Sequence, residues 1–219
     1  MLTTATPPSA DLNPPPPLVA RSARAAFAFV GERLWLDFVN TDCGTRDGVA
    51  DFDGLVSWLE SAIALDVERA QMMRRRAIQQ PSGATAALMD ARRVRAALRS
   101  LAERGAMIPQ VRLDALAEIN RVLGRSAGTR RLELRADGTF ARSFVPVGDA
   151  FAGLMIPIVE SAADALILGE LPRVRRCADP RCGRVFFDGT KNAARRWCDM
   201  ATCGNRAKAA RHRARLKAS

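Results

Sequence analysis

Cys177-Ala178-Asp179-Pro180-Arg181-Cys182 and Cys198-Asp199-Met200-Ala201-Thr202-Cys203 decide how the C-terminal part of this chain folds. Each pair of cysteines encloses four residues, and fifteen lie between the pairs. Two short turns that each offer two sulfurs to one ion make a tetrahedral structural zinc site. Pro180 and Gly183 shape the first knuckle. Val185-Phe186-Phe187-Asp188-Gly189 reads as a strand entering a turn, with Arg195-Arg196-Trp197-Cys198 as the returning strand. Phe186, Phe187 and Trp197 are the candidate core of the module. Cys203 opens a helix that runs to Leu216, so knuckle, hairpin and helix together describe a treble clef. His212 lies nine residues beyond Cys203, which on a helix is ~13 Å along the axis, too far for a shared ion. Two disulfides would need an oxidising compartment, for which there is no signal. A rubredoxin-like iron would use the same sulfurs, but redox partner motifs are missing. The expectation is one structural Zn²⁺ on Cys177, Cys182, Cys198 and Cys203.

The same module carries the charge. The chain is +11 overall, and residues 173–219 hold fourteen Lys or Arg against three Asp, which is the whole excess. The other 172 residues balance twenty basic against twenty acidic side chains. Four thiolates and one Zn²⁺ would together contribute −2, leaving about +9. From Gly204 to Ser219 there is no acid at all. A solvated helix face usually mixes both signs, so this pattern points to phosphate neutralisation. The candidate nucleic-acid residues are Lys191, Arg195, Arg196, Asn205, Arg206, Lys208, Arg211, Arg213 and Arg215. Asn205 and Arg206 suit base edges, because Asn pairs bidentately with adenine and Arg with guanine. So close to the metal, they suit equally well a helix cap or a bond to a sulfur.

Upstream, the chain divides into a Pro-rich tail over 1–24, expected to be disordered, and a domain over 25–172. Phe27–Val30 reads as a short strand stopped by Gly31. Leu34 to Thr41 is apolar but carries Asp37, Asn40 and Thr41. A loop over 41–53 leads to a helix using Leu55, Val56, Leu59 and Ile63. A polar helix follows over 66–79. A long one runs from Ser82, a candidate cap, to Glu103 along Leu88, Ala91, Val94, Leu98 and Leu101. Leu113, Leu116, Ile119 and Leu123 mark a fourth. Alternation around Leu132 and Leu134, the Asp137-Gly138 pair and the return over 139–145 signal a hairpin. Asp149 opens a last helix through Leu166, with a kink expected at Pro157, and Leu171-Pro172 marks the boundary. The fold class is α+β, mostly helical with a few strands.

The run Cys177–Arg215, including Arg195-Arg196-Trp197-Cys198 and Cys203-Gly204-Asn205-Arg206, resembles the CGNR zinc finger. Leu36-Asp37-Phe38-Val39-Asn40-Thr41 and the helices after it resemble the ABATE domain that commonly precedes that finger. The resemblance implies a stress-induced bacterial transcription regulator, with a ligand-sensing α+β domain and a DNA-binding treble clef.

Several function classes are weighed against this. One His, no Tyr, no phosphate loop and a closed Cys₄ site argue against an enzyme. No export signal and reduced, metal-binding cysteines argue for the cytoplasm, and no segment reads as a membrane span. DNA is the expected partner, with RNA or a protein-interaction role for the module as alternatives. A homodimer would supply two half-sites, and a small-molecule effector would bind the N-terminal domain. Trp35, Asp37, Asn40 and Thr41 are the candidate ligand residues. Their competing reading is structural, since buried polar groups must be hydrogen-bonded with or without a ligand. Cys43 reads as a thiol of no special role, with no His or Lys beside it in sequence to activate it.

Overall fold

The computed structural model describes residues 27–43, 47–125, 127–134, 138, 140–147 and 151–218. In chain order these form α1 (Leu34–Val39), α2 (Phe52–Ser61), α3 (Val67–Gln79), α4 (Pro81–Arg104) and α5 (Pro109–Arg125). Then come β1 (Gly128–Leu134), β2 (Phe140–Pro146), α6 (Ile156–Ile167), β3 (Val174–Arg176), β4 (Val185–Phe187) and α7 (Asn205–Ala218). Helices dominate, and the strands form two antiparallel hairpins, β1–β2 and β3–β4. This is the expected α+β fold. The tail over 1–24, Asp137 of the expected turn and Asp149 as helix opener lie outside the described residues.

Local chemistry sets most helix starts. Asp51 caps α2 by accepting from the Gly54 N–H, and Asp66 caps α3 by accepting from Arg69. Ser82 is not a cap: α4 begins at Pro81, whose missing N–H is harmless in a first turn. Pro157 sits likewise in the first turn of α6, so it starts that helix rather than kinking it. Phe27–Val30 does not form a strand. Gly31 accepts one backbone bond from Phe187 (2.9 Å), but β4 takes its ladder from β3 instead.

The short helix α1 is the hub of the core. Trp35, Leu36, Phe38 and Val39 are fully buried, and α1 packs against α4, α6 and β4. Phe38 meets Trp58 of α2 with ring centroids 5.1 Å apart. Each such side chain contributes about 1.5–3 kcal/mol by leaving water, so six residues anchor several layers. The α4 seam is buried at Ala91, Val94, Leu98 and Leu101 as expected. The α5 stripe is rotated from the expected one. Val111, Ala115, Ile119 and Val122 face inward, whereas Leu113 and Leu116 are exposed. Ala115 is buried on this inner face, with α5 packed against both α4 and α6, and Glu118 is buried because Arg93 (3.0 Å) and Arg121 (2.5 Å) hold its carboxylate. Ile63 falls beyond the end of α2 and is exposed. In the first hairpin Phe144 is buried, while Leu132 and Leu134 point to solvent.

Candidate zinc centre and nucleic-acid interface

The first two cysteines sit on a knuckle between β3 and β4. Cys177 follows β3, and its N–H donates to the Arg184 carbonyl (2.8 Å). Gly183 turns the chain out of the knuckle at φ 71°, in the left-handed region that a side chain would strain. β4 pairs with β3 in the register Val174–Phe187 and Arg176–Val185. The expected pairing of β4 with Arg195–Cys198 is therefore corrected. That segment is irregular, because the ladder edge of β4 is taken by β3 and the Asp188 carboxylate folds the intervening loop on itself. Asp188 accepts from Thr190 N–H (3.0 Å) and from Arg195 N–H (2.9 Å).

The other two cysteines frame the entry to α7. Asp199 accepts from Ala201 (3.1 Å) and Thr202 (3.2 Å), starting a π-helical turn over Met200–Gly204 that contains Cys203. A Cβ on Gly204 would stand 2.7 Å from the Met200 sulfur, so a side chain there requires the exposed Met200 side chain to move aside. All four Sγ atoms lie within 4.8 Å of one another. Cys182 and Cys198 are 3.5 Å apart, and Cys198 and Cys203 3.8 Å. A tetrahedron with Zn–S bonds of about 2.3 Å has edges of roughly 3.8 Å, so the four sulfurs fit zinc. Burial and the neighbouring sulfurs push the Cys203 thiol up to about 11, and raise Cys198 as well. A divalent cation among them reverses that balance and favours four thiolates. Phe186 joins the cysteines in a small core with Trp197 packed against it, whereas Phe187 belongs to the main core.

The module is bonded tightly to the N-terminal domain. Asn40 uses its side-chain amide as a strand would: Nδ2 donates to the Val185 carbonyl (2.8 Å) and Oδ1 accepts from the Val185 N–H (2.9 Å). Arg99 of α4 donates to the Gly183 carbonyl (3.1 Å) and the Val39 carbonyl (2.8 Å), and pairs with Asp42. Arg33 forks onto Glu170 (2.8 and 2.5 Å) and lies over the Phe187 ring at 3.9 Å. Arg195 pairs with Glu32.

These bonds locate the four candidate ligand residues. Asn40 docks the module, and Thr41 donates to the Phe38 carbonyl (2.7 Å) and accepts from Arg95 (2.8 Å). Asp37 accepts from the Gly31 N–H (2.7 Å), and burial pushes its carboxyl up to about 6. Trp35 is fully buried with its indole nitrogen unpaired. None of the four lines either of two cavities. One, of about 480 Å³, lies among α4, α5 and the 151–155 turn, beside Met89, Arg93, Val122 and Met155. Arg95, which also forks onto Asp47 (2.6 and 2.6 Å), and Arg99 escaped the sequence reading. Their signal is two arginines four residues apart, each directly after a buried apolar residue, Val94 and Leu98. Cys43 has a cation beside it after all, Arg99 at 2.8 Å, yet burial keeps its thiol raised.

The candidate nucleic-acid residues separate into two groups. Arg195 is structural: besides Glu32 it donates to the Trp197 and Cys198 carbonyls and covers the Phe186 ring at 4.5 Å. Arg206 binds the buried Asp179 of the knuckle (2.6 Å), and Asn205 donates to the Ala201 carbonyl (3.1 Å). Lys191, Arg196, Lys208, Arg211, Arg213 and Arg215 are exposed. Between the knuckle and α7 runs a groove of about 350 Å³, with Trp197 in its wall and Arg181, Arg196, Arg206 and Arg211 around it.

Residues 173–216 match the family model of the CGNR zinc finger. Residues 32–169 match that of ABATE, described as "Putative stress-induced transcription regulator", and span well over half of the chain. The chain belongs to the ABATE family. No curated protein matches it. The ABATE domain thus comprises α1–α6 with the first hairpin, and the finger begins at the 3₁₀ turn Leu171–Arg173. Both resemblances read from the sequence are confirmed. No helix among the described residues is long and apolar enough to cross a membrane.

Proposed function

We propose that the protein is a cytoplasmic, non-catalytic transcription regulator that binds DNA through its zinc finger, a treble clef in outline. The observation that carries this is α7. Its fourteen residues hold six Lys or Arg and no acid, and apart from half-buried Ala207 those whose exposure is described stand open to solvent. A helix whose one large apolar side chain, Leu216, is exposed gains little from packing on its own domain. Its base is fixed by the zinc site, which presents the charge to a polyanion. Four thiolates close the metal to substrate, which supports a structural rather than a catalytic ion. The effector belongs to the ABATE domain, where the cavity beside Met89 and Arg93 is lined by apolar Val122, Leu154 and Met155 together with charged Asp90 and Arg125.

The test is the salt dependence of binding to duplex DNA by the zinc-loaded protein. With ~5–7 phosphates neutralised, log K against log salt should fall with a slope of about −4 to −6. A flat dependence would sink the reading and favour a protein-interaction role. A structured RNA competitor that displaces the duplex at equal concentration would move the assignment to RNA.

A further inference from the structure

We propose that the groove between the zinc knuckle and α7 holds one unpaired nucleobase, stacked on Trp197, with its flanking phosphates on the surrounding arginines. This rests on the nucleic-acid reading of the finger and adds to it a strand state and a contact.

The groove has the composition of a base-stacking site. At about 350 Å³ it is at the lower end of small-ligand pockets. Pro180, Ala207 and Ala210 give it an apolar floor, and Trp197 supplies an aromatic wall. Of the three tryptophans, Trp35 and Trp58 are buried to 0% and 1% exposure, whereas Trp197 is only half-buried. Trp197 packs against the cysteine core and still contributes surface to the groove, where cations surround it. Arg196 lies over the Trp197 ring at 5.3 Å, so an entering base takes the guanidinium's place on the ring and releases Arg196 toward a phosphate. Arg206 has its charge offset by Asp179, which leaves Arg196 and Arg211, both exposed, to meet phosphates.

The same composition sets the strand state. Paired bases in a duplex present their edges to a protein, and their faces are stacked on one another. A flat ring beside an apolar floor accepts a face, which an unpaired nucleotide offers. The helix α7 continues beyond the groove, and its cations are placed to follow the backbone away from the stacked base.

Full-length, zinc-loaded protein is titrated at low salt with labelled strands of about twelve nucleotides. The probes are oligothymidylate, its abasic counterpart, oligouridylate and a paired duplex. The wild type should bind thymidylate about 5- to 100-fold more tightly than the abasic strand, with quenching of tryptophan emission. Trp197→Leu, confirmed to hold one zinc, should lose that preference, and Trp197→Phe should keep most of it. The tighter of thymidylate and uridylate identifies DNA or RNA as the source of the base. Equal binding of base-bearing and abasic strands by the wild type overturns the groove inference while leaving the duplex result intact. Absence of binding to every probe overturns both readings. The wild-type comparison stands even where Trp197→Leu fails to retain zinc.

Discussion

Asp37 shows how one side chain can tie a turn and leave a trace in pH. Its carboxylate accepts the Gly31 N–H at the point where the chain bends into α1. Burial raises its carboxyl to about 6, above the ordinary ~3.9. The folded state therefore keeps the proton over an interval in which the unfolded chain releases it. Its contribution is fully present below about pH 4 and is lost as pH rises to about 6, by about 1–3 kcal/mol. Asp37→Asn keeps the acceptor oxygen without the charge. Denaturant midpoints measured from pH 4 to 7 should fall more for wild type than for the variant. Parallel curves would show that the Asp37 carboxylate is better solvated than its surroundings imply.

At the scale of elements, the two ends of α7 have different duties. Arg206 in its first turn holds Asp179, whose backbone carbonyl accepts from the Cys182 N–H (2.9 Å). Arg213, two turns on, is exposed. Arg206→Ala should hasten zinc transfer to a chelator, whereas Arg213→Ala should leave that rate unchanged. Arg213→Ala should instead weaken all duplexes about equally and make the salt slope shallower by about one unit. Equal zinc release from both variants would remove Arg206 from the knuckle. The elements also divide by how readable they were. The ligand set was legible because metal spacing is local: four cysteines within 27 residues admit few geometries. The helices are legible as periods, but the inner face of α5 runs through Val111, Ala115, Ile119 and Val122 rather than through its leucines, because tertiary packing and not hydrophobicity alone chooses the buried side. Strand pairing is the least local of these features. Val185–Phe187 was recognised as a strand, yet its partner lies before the knuckle, and nothing within the run distinguishes one edge of a strand from the other. The roles of Asn40 and Arg99 depend on contacts 145 and 84 residues away, beyond any local pattern.

Across the whole molecule, the ABATE domain and the finger meet through buried bonds rather than a linker. Asn40→Ala removes both partners of the Val185 backbone. A buried unpaired donor or acceptor costs about 1–3 kcal/mol each, so the variant should lose about 2–6 kcal/mol of stability in denaturant unfolding while still binding one zinc. Amide exchange at Val185 should quicken with it. Unchanged exchange there would mean that the two parts are held mainly by Arg33, Arg99 and Arg195. An amide side chain standing in for a strand has a further effect on reach. A finger on a flexible tether samples every heading and can settle on sites at many separations. Here the heading of α7 is inherited from α1, as a caliper's jaw inherits the angle of its frame. Two chains joined through their ABATE domains would therefore grip DNA at one fixed pitch. Inserting half a helical turn, about 5 base pairs, between two half-sites would rotate one of them to the far side of the duplex, out of its jaw.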